Sequence, residues 1–388
     1  MRSAACSPKT SRRRSTLPAY DNAAMDGYAF DGAALAAPAA DGVLALAVAG
    51  RALAGHPFDG PRIAPHACVR IMTGAQMPAG SDTVIPQEKV DATGNVVRFP
   101  AAAVARGEHC RRAGEDLARG ARALAAGRVV RAADLGLLAS LGIAEVAVRR
   151  RVRVAFFSTG DELQTPGEPP REGGLYDSNR ATLAGMLARI GVETLDLGIV
   201  RDDPAALEGA LTTAAAQADA VITSGGVSVG DADFTRALLA TLGDVTFASV
   251  AMRPGRPLAC GRIRASGREE RPALFFGLPG NPVAVAATFI VIVRDALFAM
   301  MGAEAQPLPR YPAVCDAPIN KRAGRTEYLR GRAARDASGV WRVAPAGSQS
   351  SASLKSLSDA NCFIVLAHDA ARVDAGTTVD ILPFDGAI

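Results

Sequence analysis

Asp219–Leu242 reads DAVITSGGVSVGDADFTRALLATL, and this stretch decides the fold class. An apolar strand-like run, DAVITSGG, breaks at a Gly-rich turn and leads into a helix expected over 232–242. The same alternation extends outward on both sides. Upstream, Val152–Gly160 (VRVAFFSTG) is an apolar run ending in a Gly turn. A helix is expected over 179–190, with Leu183, Met186, Leu187 and Ile190 on one face. Then come the strand ETLDLGIV (Glu193–Val200) and a helix over 204–216. Downstream, ALFFGLPG (Ala273–Gly280) precedes a long helix over 282–301. Strands alternating with helices at this spacing argue for an α/β architecture with a doubly wound parallel sheet.

The flanks read differently. Leu17–Phe30 is extended and Gly-punctuated, and from about residue 42 to 100 short strand-like runs are broken by Gly, Pro and Asp. A short helix is expected over 132–141. Beyond Pro307, Pro309 and Pro312 the strand-like pattern returns in YLRGRAA, VWRVAPA, NCFIVLA and TVDILPF, which reads as a β-barrel. The expected organisation is therefore a tail over 1–16, an N-terminal linker and dimer part over 17–150 with an inserted β-rich domain at about 40–110, an α/β domain over 151–302, and a C-terminal β-barrel-like domain over 303–388. The tail carries Arg12, Arg13 and Arg14 among Ser and Thr without an amphipathic stretch. It reads as disordered or as a misassigned start rather than as a transit peptide.

Composition bounds the function. The net charge of +4 over 388 residues makes no case for nucleic acid. Arg supplies nearly all cations, but scattered along the whole chain, which reads as base composition rather than as a phosphate-binding demand. The longest apolar run, Val283–Val293, falls far short of the roughly 20 residues of a membrane span and reads as a buried helix. Cys6, Cys68, Cys110, Cys260, Cys315 and Cys362 lie too far apart for a zinc or redox motif, so free thiols in a reducing cytoplasm are expected.

Ligands of open parallel sheets gather at the carboxyl ends of the strands. Four loops there are unusual, the first being Ser158-Thr159-Gly160-Asp161-Glu162. In Thr223–Asp233, Gly225, Gly226 and Gly230 allow close backbone approach, Ser224 and Ser228 add hydroxyls, and a helix N-terminus follows, which together suit an anion. In Leu278-Pro279-Gly280-Asn281-Pro282, Asn281 can cap a helix and Pro282 suits its first position. Arg253 and Arg256 in MRPGRP offer guanidinium forks for phosphate. Asp161, Glu162, Asp231 and Asp233 lie near these loops, and carboxylates beside a phosphate site usually hold Mg2+. For Asp231, a simple interaction with the helix dipole suffices. Either Gly-rich turn alone would be only a tight connection; two of them with paired Arg on one edge favour a phosphorylated ligand. Met25-Asp26-Gly27 and Thr73-Gly74 stand out in the β-rich part, where turn chemistry is an equal explanation.

These segments, in order, resemble the MoeA/gephyrin family of molybdopterin molybdenumtransferases. The resemblance runs from Leu17 nearly to the C-terminus through DNAAMDGYA, RIMTGAQMPAGSD with PQE, RRAGED, STGDEL, YDSN, RDDP, TSGGVSVGDADF, MRPGRP, LPGNP and NCFIVL. It implies a cytoplasmic homodimer whose site lies between the α/β domain of one subunit and the N-terminal part of the other. There adenylylated molybdopterin and molybdate meet with Mg2+, AMP is hydrolysed off and molybdenum enters the dithiolene. It also implies the molybdopterin adenylyltransferase and recipient molybdoenzymes as protein partners, with no nucleic acid and no membrane.

Carried over, the family's candidate catalytic acids fall on Asp26, Glu162, Asp202 and Asp233, with Glu162, Asp202 and Asp233 holding Mg2+. Thr73, Asp116, Pro279 and Pro282 match its other important positions, and together with the Ser224–Gly230 loop, Arg253, Arg256, Gly280 and Asn281 they form the expected substrate site. Three departures stand out: Ala23 where Ser is frequent, Ser249 where a basic residue is frequent, and an Arg/Ser-rich start in place of N-terminal helices. The competing readings are the adenylylating enzyme of the same pathway, which resembles only 143–302, a molybdopterin-binding scaffold or storage protein without turnover, and an inactive truncated product.

Overall fold

The computed structural model describes residues 16–226, 233–264, 271–304 and 306–385, with the side chains of residues 233 and 234 excepted. Within them the chain divides into two compact units, 16–126 with 131–147, and 127–130 with 148–385. Each unit has its own core.

The first unit is built on a six-stranded sheet: β1 (Gly27–Phe30), β2 (Val43–Ala52), β3 (Ala67–Ile71), β4 (Thr83–Pro86), β5 (Asp91–Thr93) and β6 (Val96–Pro100), in the order β4-β1-β3-β2-β6-β5. The period-2 alternation of strands sends Ala29, Val69 and Val84 to one core and Tyr28, Phe30, Cys68 and Ile85 to the other. Gly27 is required where β1 passes β4, because a Cβ there would lie 2.0 Å from the Ile85 carbonyl oxygen. The helix expected near residue 132 is α1 (Ala132–Ser140).

The second unit opens with β7 (Arg153–Thr159), α2 (Ser178–Ile190), β8 (Glu193–Val200), α3 (Pro204–Gln217), β9 (Ala220–Ser224) and α4 (Asp233–Leu242). It continues through β10 (Gly243–Ser249), β11 (Met252–Arg253), β12 (Pro257–Ile263), β13 (Ala273–Leu278), α5 (Pro282–Thr288) and α6 (Arg294–Met300). The main sheet runs β8-β7-β9-β13-β12-β10. Its strands β8, β7, β9 and β13 are parallel, as the alternation requires. β12 runs against both its neighbours, so β10 again points with the parallel set. The sheet is thus mixed through one reversed strand. GDVTFAS and PLACGRI carry few large apolar residues, so neither announces a strand in the sequence. Val154 and Phe156 face a core shared with α2 and α5, while Ala155 and Phe157 face α3. The apolar run Val283–Val293 is indeed core helix, though Phe289–Val293 widens into a π turn between α5 and α6.

β14 (Tyr311–Cys315), β15 (Thr326–Arg335), β16 (Trp341–Pro345), β17 (Cys362–Leu366) and β18 (Thr378–Pro383) close a five-stranded barrel in the order β15-β16-β14-β18-β17-β15, with α7 (Leu354–Asp359) before β17. Its interior holds Leu329, Val343, Ile364 and Ile381. β14 went unread in the sequence because Pro312 interrupts it. That Pro is tolerated because pairing to β16 begins only at Val314. The five described cysteines are free, and burial pushes the Cys68 and Cys362 thiols up to about 12.

Candidate functional site

The strand order reverses direction between β7 and β9, and the loops leaving these two strands diverge there, which makes the crevice that doubly wound sheets use for ligands. A cavity of about 460 Å³ occupies it. Its lining includes Glu162, Asp202, Ser224, Gly225, Gly226, Pro279, Gly280 and Asn281, so eight expected site residues meet in one place from four separate loops.

The acidic wall is organised by Thr159, at the end of β7. Its hydroxyl donates a hydrogen bond to Asp202 Oδ1, and the Asp202 amide donates to Asp161 Oδ1 at 3.3 Å. Glu162 lies two positions after Gly160, where a Cβ would lie 2.6–2.9 Å from the Glu162 carboxyl group. Among the described residues no three His, Cys, Asp or Glu side chains converge into a preformed metal cage. The Asp233 side chain lies outside the described residues, as do Ser228, Gly230 and Asp231; Asp233 itself begins α4.

Two glycine turns also line the cavity. Gly225 adopts φ +95°, and a Cβ there would sit 2.4 Å from the Thr159 carbonyl oxygen; Gly226 adopts φ +67°. The Gly225 amide donates to the Leu278 carbonyl at 3.1 Å, so it braces the two turns together instead of facing a ligand. Pro282 stands at the first position of α5 as expected. Asn281 has the extended backbone of a cap residue, but its side chain makes no capping bond and lines the cavity instead.

A second cavity of about 240 Å³ adjoins the first and shares Pro257, Pro279 and Asn281 with it. Arg253, Arg256 and Arg330 line it. Arg330 is only 1% exposed and donates to the carbonyls of Ser348 and Ser350 and to Ser356 Oγ. Burial, and then the charge of Arg253, pull its guanidinium down to about 10. Among the described residues no carboxylate forms an ion pair with it, whereas the buried Glu327 pairs with Arg325 at 2.8 Å and Arg253 at 3.6 Å. A buried cation held only by neutral acceptors is costly unless an anion joins it. Ser249, at the position expected to be basic, accepts from Arg256 Nε at 2.9 Å and so orients that cation. Arg330 was missed because its segment, YLRGRAA, reads simply as a strand.

Asp26, Thr73 and Asp116 belong to the first unit. Asp26 Oδ1 accepts from both the amide (2.7 Å) and the hydroxyl (2.6 Å) of Thr73. These bonds, the hydroxyl's first, hold the Asp26 carboxyl below the usual carboxylate range. Asp116 is exposed. The acids that shape its RRAGED loop are instead Glu115, bonded to Arg111 and Arg112, and Asp21, which the sequence did not single out and which accepts from Arg112 and the Ala113 amide.

Three family models match the chain: the MoeA N-terminal region (domain I and II) over residues 10–142, a probable molybdopterin-binding domain over 155–299, and the MoeA C-terminal region (domain IV) over 312–384. A molybdopterin molybdenumtransferase of Haemophilus influenzae is 40% identical over 95% of this chain and 88% of its own length. Molybdopterin molybdenumtransferase 2 of Mycobacterium tuberculosis is 34% identical over 94% and 89%. The crystal structure of the molybdopterin biosynthesis MoeA protein from Pyrococcus horikoshii OT3 superposes with a TM-score of 0.81 at 25% identity, covering 98% of this chain and 92% of that one. The chain, with its crevice of paired glycine turns and carboxylates, belongs to the MoeA family of molybdopterin molybdenumtransferases, enzymes of molybdenum cofactor biosynthesis.

Proposed function

We propose that this enzyme inserts molybdenum from molybdate into adenylylated molybdopterin, releasing AMP, with Mg2+ at the site. The observation that carries this reading is the 460 Å³ cavity that Glu162 and Asp202 line together with two glycine turns. Mg2+ usually takes one or two carboxylates and completes its shell with water and substrate phosphate, so two carboxylates in one cavity with an anion cradle fit it. Glu162 and Asp202, with Asp233, would hold it there. When bound, the ion would neutralise charge on the phosphoanhydride and so favour its hydrolysis.

The protein's own groups divide the rest of the work. The turns at Ser224–Gly226 and Pro279–Asn281 seat the phosphates, and α5 directs its N-terminal dipole at them. Thr159 orients Asp202, which would align the attacking water. The adjoining Arg253, Arg256 and Arg330 cluster suits a tetrahedral dianion, and its shared wall with the first cavity supports it as the seat of molybdate. Asp26 and Thr73 would complete the site from the partner subunit of a cytoplasmic homodimer, with the molybdopterin adenylyltransferase and recipient molybdoenzymes as protein partners.

The test is molybdate-dependent AMP release from adenylylated molybdopterin with Mg2+, comparing the wild type with Asp233→Ala and Asp202→Ala. Release that disappears in the variants is expected. A well-folded wild-type dimer that binds molybdopterin but releases no AMP would leave a binding protein.

A further inference from the structure

We propose that Asn179 is a positioning residue that sets the spacing of the two glycine turns and presents an acceptor to a hydrogen-bond donor on the uncharged part of the ligand. The inference rests on reading the larger cavity as the molybdopterin site. Asn179 is the second residue of α2 and only 9% exposed. Helix capping does not account for it, because Asp177 already caps α2 by accepting from the Arg180 amide at 3.1 Å. Nor is Asn favoured inside a helix, where it competes with the backbone for hydrogen bonds.

Its hydrogen bonds give the reason. Asn179 Nδ2 donates to Ser224 Oγ at 2.8 Å and to the Gly280 carbonyl at 2.6 Å. A carbonyl only accepts, so the amide nitrogen must face Gly280, and both its hydrogens are engaged. The partners belong to the two different turns, 45 and 101 positions away in the chain. One buried side chain therefore ties both turns at a set separation.

The remaining atom, Oδ1, is buried without a partner among the described residues, on a residue that lines the cavity. Such an acceptor is complemented by a donor and repels an ionised phosphate, which has only acceptors. Oδ1 thus marks where the anionic part of the ligand ends and a heterocyclic N–H or a sugar hydroxyl begins. Molybdopterin and AMP, offered separately, distinguish those two sources.

The experiment compares the wild type, Asn179→Ala and the isosteric Asn179→Asp, each checked for wild-type thermal unfolding. Binding of molybdopterin and of AMP is titrated, and KM and kcat are measured for AMP release. Asn179→Asp preserves volume but turns an acceptor towards the Gly280 carbonyl, so a mere packing role would tolerate it even if the Ala variant failed to fold. We expect binding of one probe to weaken about tenfold in both variants, the loss of roughly one to two hydrogen bonds. KM for adenylylated molybdopterin should rise with it, while kcat and the KM for molybdate stay within about threefold. An Asn179→Asp variant that binds both probes like the wild type overturns the inference, as does an equal rise in both KM values. A wild type that binds molybdopterin without turnover sinks the insertase reading instead, and the binding arm still judges Asn179.

Discussion

Asp26 and Thr73 lie 47 positions apart, yet a single carboxylate oxygen of Asp26 accepts both the amide and the hydroxyl of Thr73. The turn that brings them together needs Gly74 at φ +79° after Thr73, and the close passage of β1 and β4 at Gly27 after Asp26. The two motifs are halves of one device, which holds an exposed carboxylate ionised and aimed.

Thr73→Ala should therefore act on Asp26. The hydroxyl's bond is the larger cause of the lowered carboxyl pKa, so its loss should move the Asp26 titration up towards the ordinary carboxylate range. The sign follows: the wild-type group stays ionised to lower pH, and the variant protonates earlier as pH falls. NMR titration of the side-chain carboxyl checks this. Because the pair is exposed, thermal stability should change little. AMP release should fall by about tenfold if the device contributes to the site.

Asp202→Asn preserves shape and removes charge. The Mg2+ concentration giving half-maximal AMP release should rise by about tenfold or more, since hard cations prefer carboxylate oxygens. Thr159→Val, which removes the hydroxyl that orients Asp202, should give a smaller shift in the same direction. A Mg2+ titration identical to wild type in Asp202→Asn would place the metal elsewhere.

Arg330→Met tests the smaller cavity. Removing the guanidinium leaves the carbonyls of Ser348 and Ser350 without donors, at about 1–3 kcal/mol, while relieving a buried charge, so the net stability change should be modest. Molybdate affinity, read as the KM for molybdate in AMP release, should weaken by at least about tenfold.

Gly225→Ala should be severe. The residue sits at φ +95°, and an added Cβ would meet the Thr159 carbonyl at 2.4 Å. The backbone strain alone costs about 1–3 kcal/mol. Denaturant unfolding should show that loss, and phosphate-bearing ligands should bind more weakly because the turn must move away from Thr159.

The sequence by itself determined the alternating α/β pattern, the β-rich flank and most of the barrel, because period-2 and 3.6-residue patterning is local and survives in any context. It also marked Glu162, Asp202, Ser224–Gly226 and Pro279–Asn281, since glycine turns and acids at strand ends carry their own signal. Only the tertiary structure decided which of these residues share a cavity, and that β12 runs against the sheet, since register and strand direction depend on partners distant in the chain. It alone gave Arg330, Asn179 and Thr159 their roles. Each looks ordinary within its own segment: Arg330 in a strand, Asn179 in a helix, Thr159 at a turn. Their significance comes from burial and from partners far away in the chain, and local sequence encodes neither.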